Sequence, residues 1–283
     1  MVKVTTKRAI GYSPLRYPGG KSSLTGFFAA LIESNFDRPA TYVEPYAGGA
    51  GAAVALLLQG KVGQVVINDL DPAIFSCWHS MVNRSDEFIA RVRETEVSLA
   101  EWDRQREVYR SPADADQFEL GFATFFLNRT SRSGVLNAGA IGGKSQDGNY
   151  RIDARYNKPS LIHMIRRIGS NRDSISVTNR DGLDVIRDHA ERDDVFIYAD
   201  PPYYEKGALL YLNSFGPDHH VDLAGLLNSR PDAKWVLTYD NADAIRDMYL
   251  QRRRQVFSLY YSAHSPGNAQ ELMVFSDGIN LPS

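Results

Sequence analysis

The run Asp194-Val195-Phe196-Ile197-Tyr198, stopped by Pro201-Pro202, constrains the fold more than any other stretch of the chain. It is short, apolar and rich in β-forming residues. Such a run reads as a strand buried on both faces, as in the middle of a parallel sheet. Parallel strands need crossover connections, usually helical, so an α/β fold follows. Each proline fixes its own φ, and Pro202 holds Pro201 extended. Asp200 therefore stands at the strand's carboxyl end, where open α/β sheets bind ligands.

Asp200-Pro201-Pro202-Tyr203 presents two oxygen acceptors, the Asp200 carboxylate and the Pro201 carbonyl, beside the ring of Tyr203. The set suits a planar heterocycle with an amino group: the ring stacks on Tyr203 and the amino hydrogens bond to the oxygens. The lone pair of such an amine, adenine's for example, is conjugated into the ring and attacks poorly. Acceptors on both hydrogens favour a more tetrahedral nitrogen that can attack a methyl group. They also stabilise the positive charge that grows on nitrogen in the transition state. The same tetrapeptide fits a plain strand-to-turn junction with a packed tyrosine, so the rest of the chain decides.

Thr41-Tyr42-Val43-Glu44 reads as a strand, Pro45 to Gly51 as a glycine loop, and Ala52 to Leu58 as a helix of small residues. Val65-Val66-Ile67-Asn68-Asp69 is the next strand. Together they form the first unit of a nucleotide-type fold, whose glycines let backbone approach a ligand. Position 54 is valine, so the loop is not the GxGxxG of a dinucleotide site. Asp69 falls 20 residues after Gly49, close to the offset at which such folds place a ribose-binding acid. Upstream, Arg16-Tyr17-Pro18-Gly19-Gly20-Lys21-Ser22-Ser23 leads into apolar positions Leu24, Phe27, Phe28, Leu31 and Ile32, the spacing of one buried helix face. Ser22 or Ser23 is placed to cap that helix. A P-loop is discounted, because no strand precedes and position 15 is leucine where the motif needs glycine.

Further strands are expected at Ser174–Thr178 and Trp235–Tyr239, with helices at 161–168 and 242–250. Val256–Tyr261 and Leu272–Ser276 bracket a polar loop from Ser262 to Glu271, the pattern of an antiparallel hairpin at a sheet edge. Charge is distributed unevenly in the middle of the chain. Residues 86–119 hold 10 acidic and 5 basic residues, a solvated helical face; residues 129–172 hold 9 basic and 2 acidic ones among glycine, asparagine and serine. A basic loop of that kind can contact phosphates and read base edges. The net charge of −2 requires any nucleic-acid surface to be local.

The single Cys77, in an apolar helical stretch, reads as core and fits a reducing cytoplasm. His219 and His220 have no acid, histidine or cysteine at a recurring ligand spacing, so no metal is expected. No apolar run reaches transmembrane length, and the start lacks the apolar stretch of a signal peptide.

In order, Tyr-Pro-Gly-Gly-Lys, Val-Glu-Pro-Tyr-Ala-Gly-Gly-Ala-Gly, Asn-Asp-Leu-Asp, a basic variable region and Asp-Pro-Pro-Tyr resemble the Dam-type adenine-specific DNA methyltransferases of the alpha arrangement. The matching blocks run from about 14 to 80 and 120 to 204. The resemblance implies a Rossmann-like methyltransferase domain, residues 1–80 and 171–283, with a mostly parallel sheet ending in an antiparallel hairpin. Residues 81–170 would be an inserted, mainly helical DNA-recognition subdomain. It implies S-adenosylmethionine as cofactor and double-stranded DNA as partner. Tyr17 and Lys21 would border the cofactor and the flipped base; Ala47, Gly48 and Gly49 would lie against the methionine part; Asp69 would hold the ribose and Asp181 the cofactor's adenine. Asp200, Pro201, Pro202 and Tyr203 would be the catalytic set. Asn128, Arg129 and Arg132 would begin the DNA-contacting region. The glycine loop departs from the family's Phe-x-Gly-x-Gly, with Tyr46 for phenylalanine and Ala50 for the second glycine. Residues 133–160 do not match the enzyme that reads GATC, so that specificity does not carry over.

Two rivals stay open at this stage. One is the same fold methylating another amine: cytosine N4, RNA adenine or a protein amide. The other is a DNA-binding module that has lost catalysis. A cytosine C5 mechanism needs a nucleophilic cysteine, and Cys77 is not in such a setting. The expected setting is cytoplasmic and not membrane-bound, as a monomer or weak dimer, with a cognate restriction enzyme as an open companion.

Overall fold

A computed structural model of the chain describes residues 11–16, 21–204, 216–261 and 267–282. Its centre is a sheet of β1 (Thr41–Glu44), β2 (Gln64–Asn68), β3 (Ile175–Thr178), β4 (Val195–Ala199), β5 (Trp235–Asp240), β6 (Arg253–Tyr261) and β7 (Gly267–Phe275). In space the order is β3-β2-β1-β4-β5-β7-β6. The first five strands are parallel, and β7 enters antiparallel between β5 and β6. The expected α/β fold, a mostly parallel sheet closed by an antiparallel hairpin, is therefore present. The hairpin is longer than its apolar runs indicate. Glu271, which reads as the end of the polar loop, lies inside β7 opposite Asp240.

β4 is buried at every residue. Phe196 and Tyr198 face one core layer, while Val195, Ile197 and Ala199 face the other. On the first side Tyr42 stacks on Phe196 at 5.7 Å, and Phe28 lies 4.5 Å from Tyr198. This layer holds α1 (Thr25–Asn35), α2 (Gly51–Leu58) and α3 (Pro72–Asn83). The opposite layer holds α8 (Gly182–His189), α9 (Pro217–Asn228) and α10 (Asp243–Met248). Burial on both faces explains why β4 has no polar alternation.

Helix starts follow local chemistry. Asp71 caps α3, its Oδ1 accepting from the Ala73 amide at 2.8 Å, with Pro72 at the first helical position. The serine cap expected for α1 does not form. The chain enters through a 3-10 turn, Lys21–Leu24, and Thr25 donates to the Ser22 carbonyl at 2.7 Å instead.

Between β2 and β3 the chain adds α4 (Ser85–Glu94), α5 (Leu99–Arg110), α6 (Gln117–Thr130) and α7 (Lys158–Gly169). Their apolar residues, Phe88, Phe122, Phe125 and Ile165 among them, continue the same core cluster as Trp78 and Met81 of α3. α3 and α6 meet closely: a β-carbon on Gly121 would stand 2.4 Å from the Ser76 carbonyl oxygen. Alanine normally gains about 0.5–1 kcal/mol over glycine in a helix. Here overpacking, at about 1–3 kcal/mol, outweighs that gain. Gly121→Ala is expected to lower stability by about 1–2 kcal/mol, read as a lower urea midpoint. An equal or higher midpoint would show that the helices can part without cost.

Candidate active site

β1 lies between β2 on one side and β4 on the other, so the sheet reverses its winding between β1 and β4. Ligands bind open α/β sheets at such a switch point, beyond the carboxyl ends of the strands. The glycine loop follows β1 and Asp200 follows β4, so the sheet brings both to that end.

Asp200 is held by two side chains. Lys21 donates to its Oδ1 at 2.9 Å and its Oδ2 at 3.0 Å. Thr238 of β5 donates to Oδ1 at 2.6 Å. Thr238 has one hydrogen and gives it to Asp200, so Tyr198 donates to Thr238, at 2.7 Å. The Lys21 ammonium also lies 3.5 Å from Glu271 Oε2 and 3.3 Å from the Tyr203 hydroxyl. That hydroxyl donates to Glu271 Oε1. The side chains of Lys21 and Glu271 are each 2% exposed and that of Asp200 is 22% exposed. Asp200 is the carboxylate that can meet a ligand, and the other two are its support.

An ionised carboxylate offers about four acceptor positions, two on each oxygen. Lys21 and Thr238 fill both on Oδ1, and Lys21 takes one on Oδ2, leaving one on Oδ2 for a further donor. Burial works against the Lys21 ammonium, but Asp200 and Glu271 outweigh it and hold the group well above the ordinary lysine range. Burial pushes the Glu271 carboxyl up; Lys21 pulls it down and Asp200 pushes it up again, with a net rise. Burial likewise raises the Tyr203 phenol, which stays protonated.

The glycine loop is tied on several sides. The Gly48 amide donates to Asp69 Oδ2 at 2.8 Å, and its carbonyl accepts from the Trp78 indole at 2.8 Å. Ser13 donates to the Gly49 carbonyl at 2.6 Å. Ala47 is buried, and its amide donates to the Asn68 carbonyl at 2.9 Å. Asp69 Oδ1 also accepts from the Asp71 amide at 3.0 Å. Burial nevertheless pushes the Asp69 carboxyl up to about 6, against the pull of those two amides. Asn68 makes four bonds: it donates to the carbonyls of Pro45 (2.8 Å) and Arg180 (2.9 Å), and accepts from the Thr178 hydroxyl (2.7 Å) and the Arg180 amide (3.0 Å). One side chain thus binds together the ends of β1, β2 and β3. Asp181 is exposed and caps α8, accepting from Leu183 at 2.8 Å.

Asn128, Arg129 and Arg132 lie at the end of α6 and just beyond it. Asn128 is buried and faces inward, donating to the carbonyls of Arg16 (2.7 Å) and Gly134 (3.0 Å) and accepting from the Arg16 amide (2.7 Å). Arg129 donates to the Arg155 carbonyl at 2.7 Å. Burial, then Arg16 and Arg155, lowers its guanidinium to about 10. Arg132 is exposed. Pro201 is buried and Pro202 half-buried. Tyr17 lies outside the described residues. Cys77 is fully buried in the core. His220 is hydrogen-bonded to the Tyr239 hydroxyl at 2.7 Å, and its ring packs on Tyr204.

Sequence reasoning missed Glu271, Thr238 and Asn68. Thr238 carries a readable signal, as a small hydroxyl residue that follows the apolar run Trp235-Val236-Leu237 inside a strand. Ala50, the departure from the family loop, adopts φ 41° and ψ 36°. The left-handed region costs a non-glycine residue roughly 1–2 kcal/mol, and glycine loses about 0.5–1 kcal/mol more backbone entropy on folding. Ala50→Gly is expected to stabilise the protein by up to about 1 kcal/mol, a rise of roughly 2–4 °C in calorimetry. A lower melting temperature would show that the turn carries no strain.

The family model for D12 class N6 adenine-specific DNA methyltransferases matches residues 17–265. The Type II methyltransferase M.CviBI of Paramecium bursaria Chlorella virus NC1A is 22% identical over 236 residues, covering 83% of this chain and 85% of its own. The family match takes in the glycine loop, Asp69, the helices between β2 and β3, and the Asp200 cluster apart from Glu271. With most of its length matched, this chain belongs to the D12 class of N6 adenine-specific DNA methyltransferases.

Proposed function

We propose that this enzyme takes S-adenosylmethionine as methyl donor and methylates an adenine swung out of duplex DNA. The observation that carries the reading is the open acceptor position on Asp200 Oδ2 at the sheet's switch point, with Tyr203 held to the same Lys21. A target adenine must leave the duplex to reach it, which costs a few kcal/mol of unstacking. Stacking on Tyr203 and a hydrogen bond from N6 to Asp200 Oδ2 offset part of that cost. The Pro201 carbonyl is the second acceptor. Asp200 orients the amine and stabilises its developing charge, and need not remove a proton first.

The residues around the glycine loop fit the donor. Asp69 offers a partly exposed carboxylate for two ribose hydroxyls, and the neighbouring Leu70 is 51% exposed, an apolar face for a flat ring. Ala47, Gly48 and Gly49 would take the methionine part and Asp181 the adenine edge. The donor supplies a methyl group on a positively charged sulfur. Residues 81–170 form the DNA-recognition part. Arg129 and Arg132 supply positive charge, and Asn128 fixes the Arg16 backbone beside them. Arg16, Arg129 and Arg155 have no carboxylate within ion-pair distance among the described residues. That leaves them available for phosphates.

Asp200→Ala removes a preorganised acceptor where charge develops. Its methylation rate should fall about 100- to 1000-fold, with cofactor affinity changed far less. Nucleoside mass spectrometry of treated DNA reads this. Methyl on cytosine N4, or a mutant as fast as wild type, would sink the reading.

Cofactor affinity should also depend on pH. Ribose hydroxyls donate to the ionised Asp69, whose carboxyl in the free protein titrates near 6. Binding should be full above that value and weaken below it, by up to one decade per pH unit. Asp69→Asn should abolish this dependence. Calorimetry showing flat affinity from pH 7 to 5 would remove Asp69 from the site.

A further inference from the structure

We infer that Glu271 is a positioning residue for methyl transfer, supplying a second negative charge that keeps Lys21 from neutralising Asp200. The inference rests on the reading that Asp200 accepts from the target amine. During transfer a bond forms between N6 and the methyl carbon as the carbon–sulfur bond of the donor breaks. The nitrogen then carries positive charge until it sheds one hydrogen as a proton.

Lys21 binds both oxygens of Asp200, at 2.9 and 3.0 Å. Alone, that pair has no net charge and offers little to a growing cation. Glu271 changes the balance: its Oε2 lies 3.5 Å from the same ammonium. With both carboxylates ionised, two negative groups share one positive group, and these three groups together carry one net negative charge. That charge matches the one developing on N6, in a place where low dielectric strengthens it. Glu271 also accepts from the Tyr203 hydroxyl, so the residue that shares Lys21 fixes the stacking ring as well. Its side chain is 2% exposed, so it acts through Lys21 and Tyr203 and not by touching DNA.

Two variants separate charge from shape. Glu271→Gln keeps the size and an acceptor for Tyr203 but removes the charge. Glu271→Asp keeps the charge but is one methylene shorter. Single-turnover methyl transfer from S-adenosylmethionine to plasmid DNA lacking adenine methylation is measured for each. Rates are taken per folded enzyme, with melting temperature and cofactor affinity recorded alongside. The Gln variant should be about 10- to 100-fold slower than wild type, a smaller loss than that of a direct partner. Asp should exceed Gln, and cofactor affinity should stay within about twofold, since Asp69 and the glycine loop lie elsewhere. Gln at the wild-type rate, or equal to or faster than Asp, overturns the inference. A wild-type enzyme that makes no N6-methyladenine overturns the reading of the reaction, and the inference falls with it.

Discussion

A buried ammonium must be paired, and Lys21 makes that rule the organising constraint of this protein. Its side chain is 2% exposed and stands among Asp200, Glu271 and Tyr203. Removing one partner of a buried ion pair costs about 3–5 kcal/mol, because the remaining charge is left stranded. The turn after residue 20, the end of β4 and the middle of β7 are therefore held to one point. The antiparallel entry of β7 beside β5 is what lets Glu271 reach it.

The half around the glycine loop is organised by a neutral group instead. Asn68 has two donors and two acceptor positions, and each is matched by a loop or strand end. A fully satisfied buried amide fixes geometry without the desolvation penalty of a charge. It sets the spacing between the glycine loop and the β3 end, and so between Asp69 and Asp181.

Local periodicity and turn chemistry made most of the fold legible. β4 announced itself as a doubly buried strand, the glycine loop and Asp69 as a nucleotide-type unit, and the last two apolar runs as a hairpin. The turn Asp200-Pro201-Pro202-Tyr203 at the end of β4 was legible for the same reason: its acceptors and ring are neighbours in sequence. Contacts between distant residues were not. Glu271 precedes Leu272-Met273-Val274-Phe275 and reads as the last polar residue of a loop. Only the register of β7 against β5 turns it inward. Asn128 reads as a polar residue bound for DNA, but its side chain holds the backbone of Arg16, 112 positions away. The continuity of the helices after β2 with the α3 core was equally hidden, since charge patterning shows only the solvated face.

The distances along the chain within the Lys21 cluster have a consequence for synthesis. Lys21 and Asp200 are 179 positions apart, and Glu271 lies farther on. Closing such long loops costs entropy that only the assembled sheet repays. A growing chain on the ribosome can form the glycine loop and its Asp69 contact as soon as β1 and β2 have emerged. It cannot close the Lys21 cluster until β7 has emerged and slotted between β5 and β6. The chain thus acquires its glycine loop early and its Lys21 cluster as one of the last acts of folding.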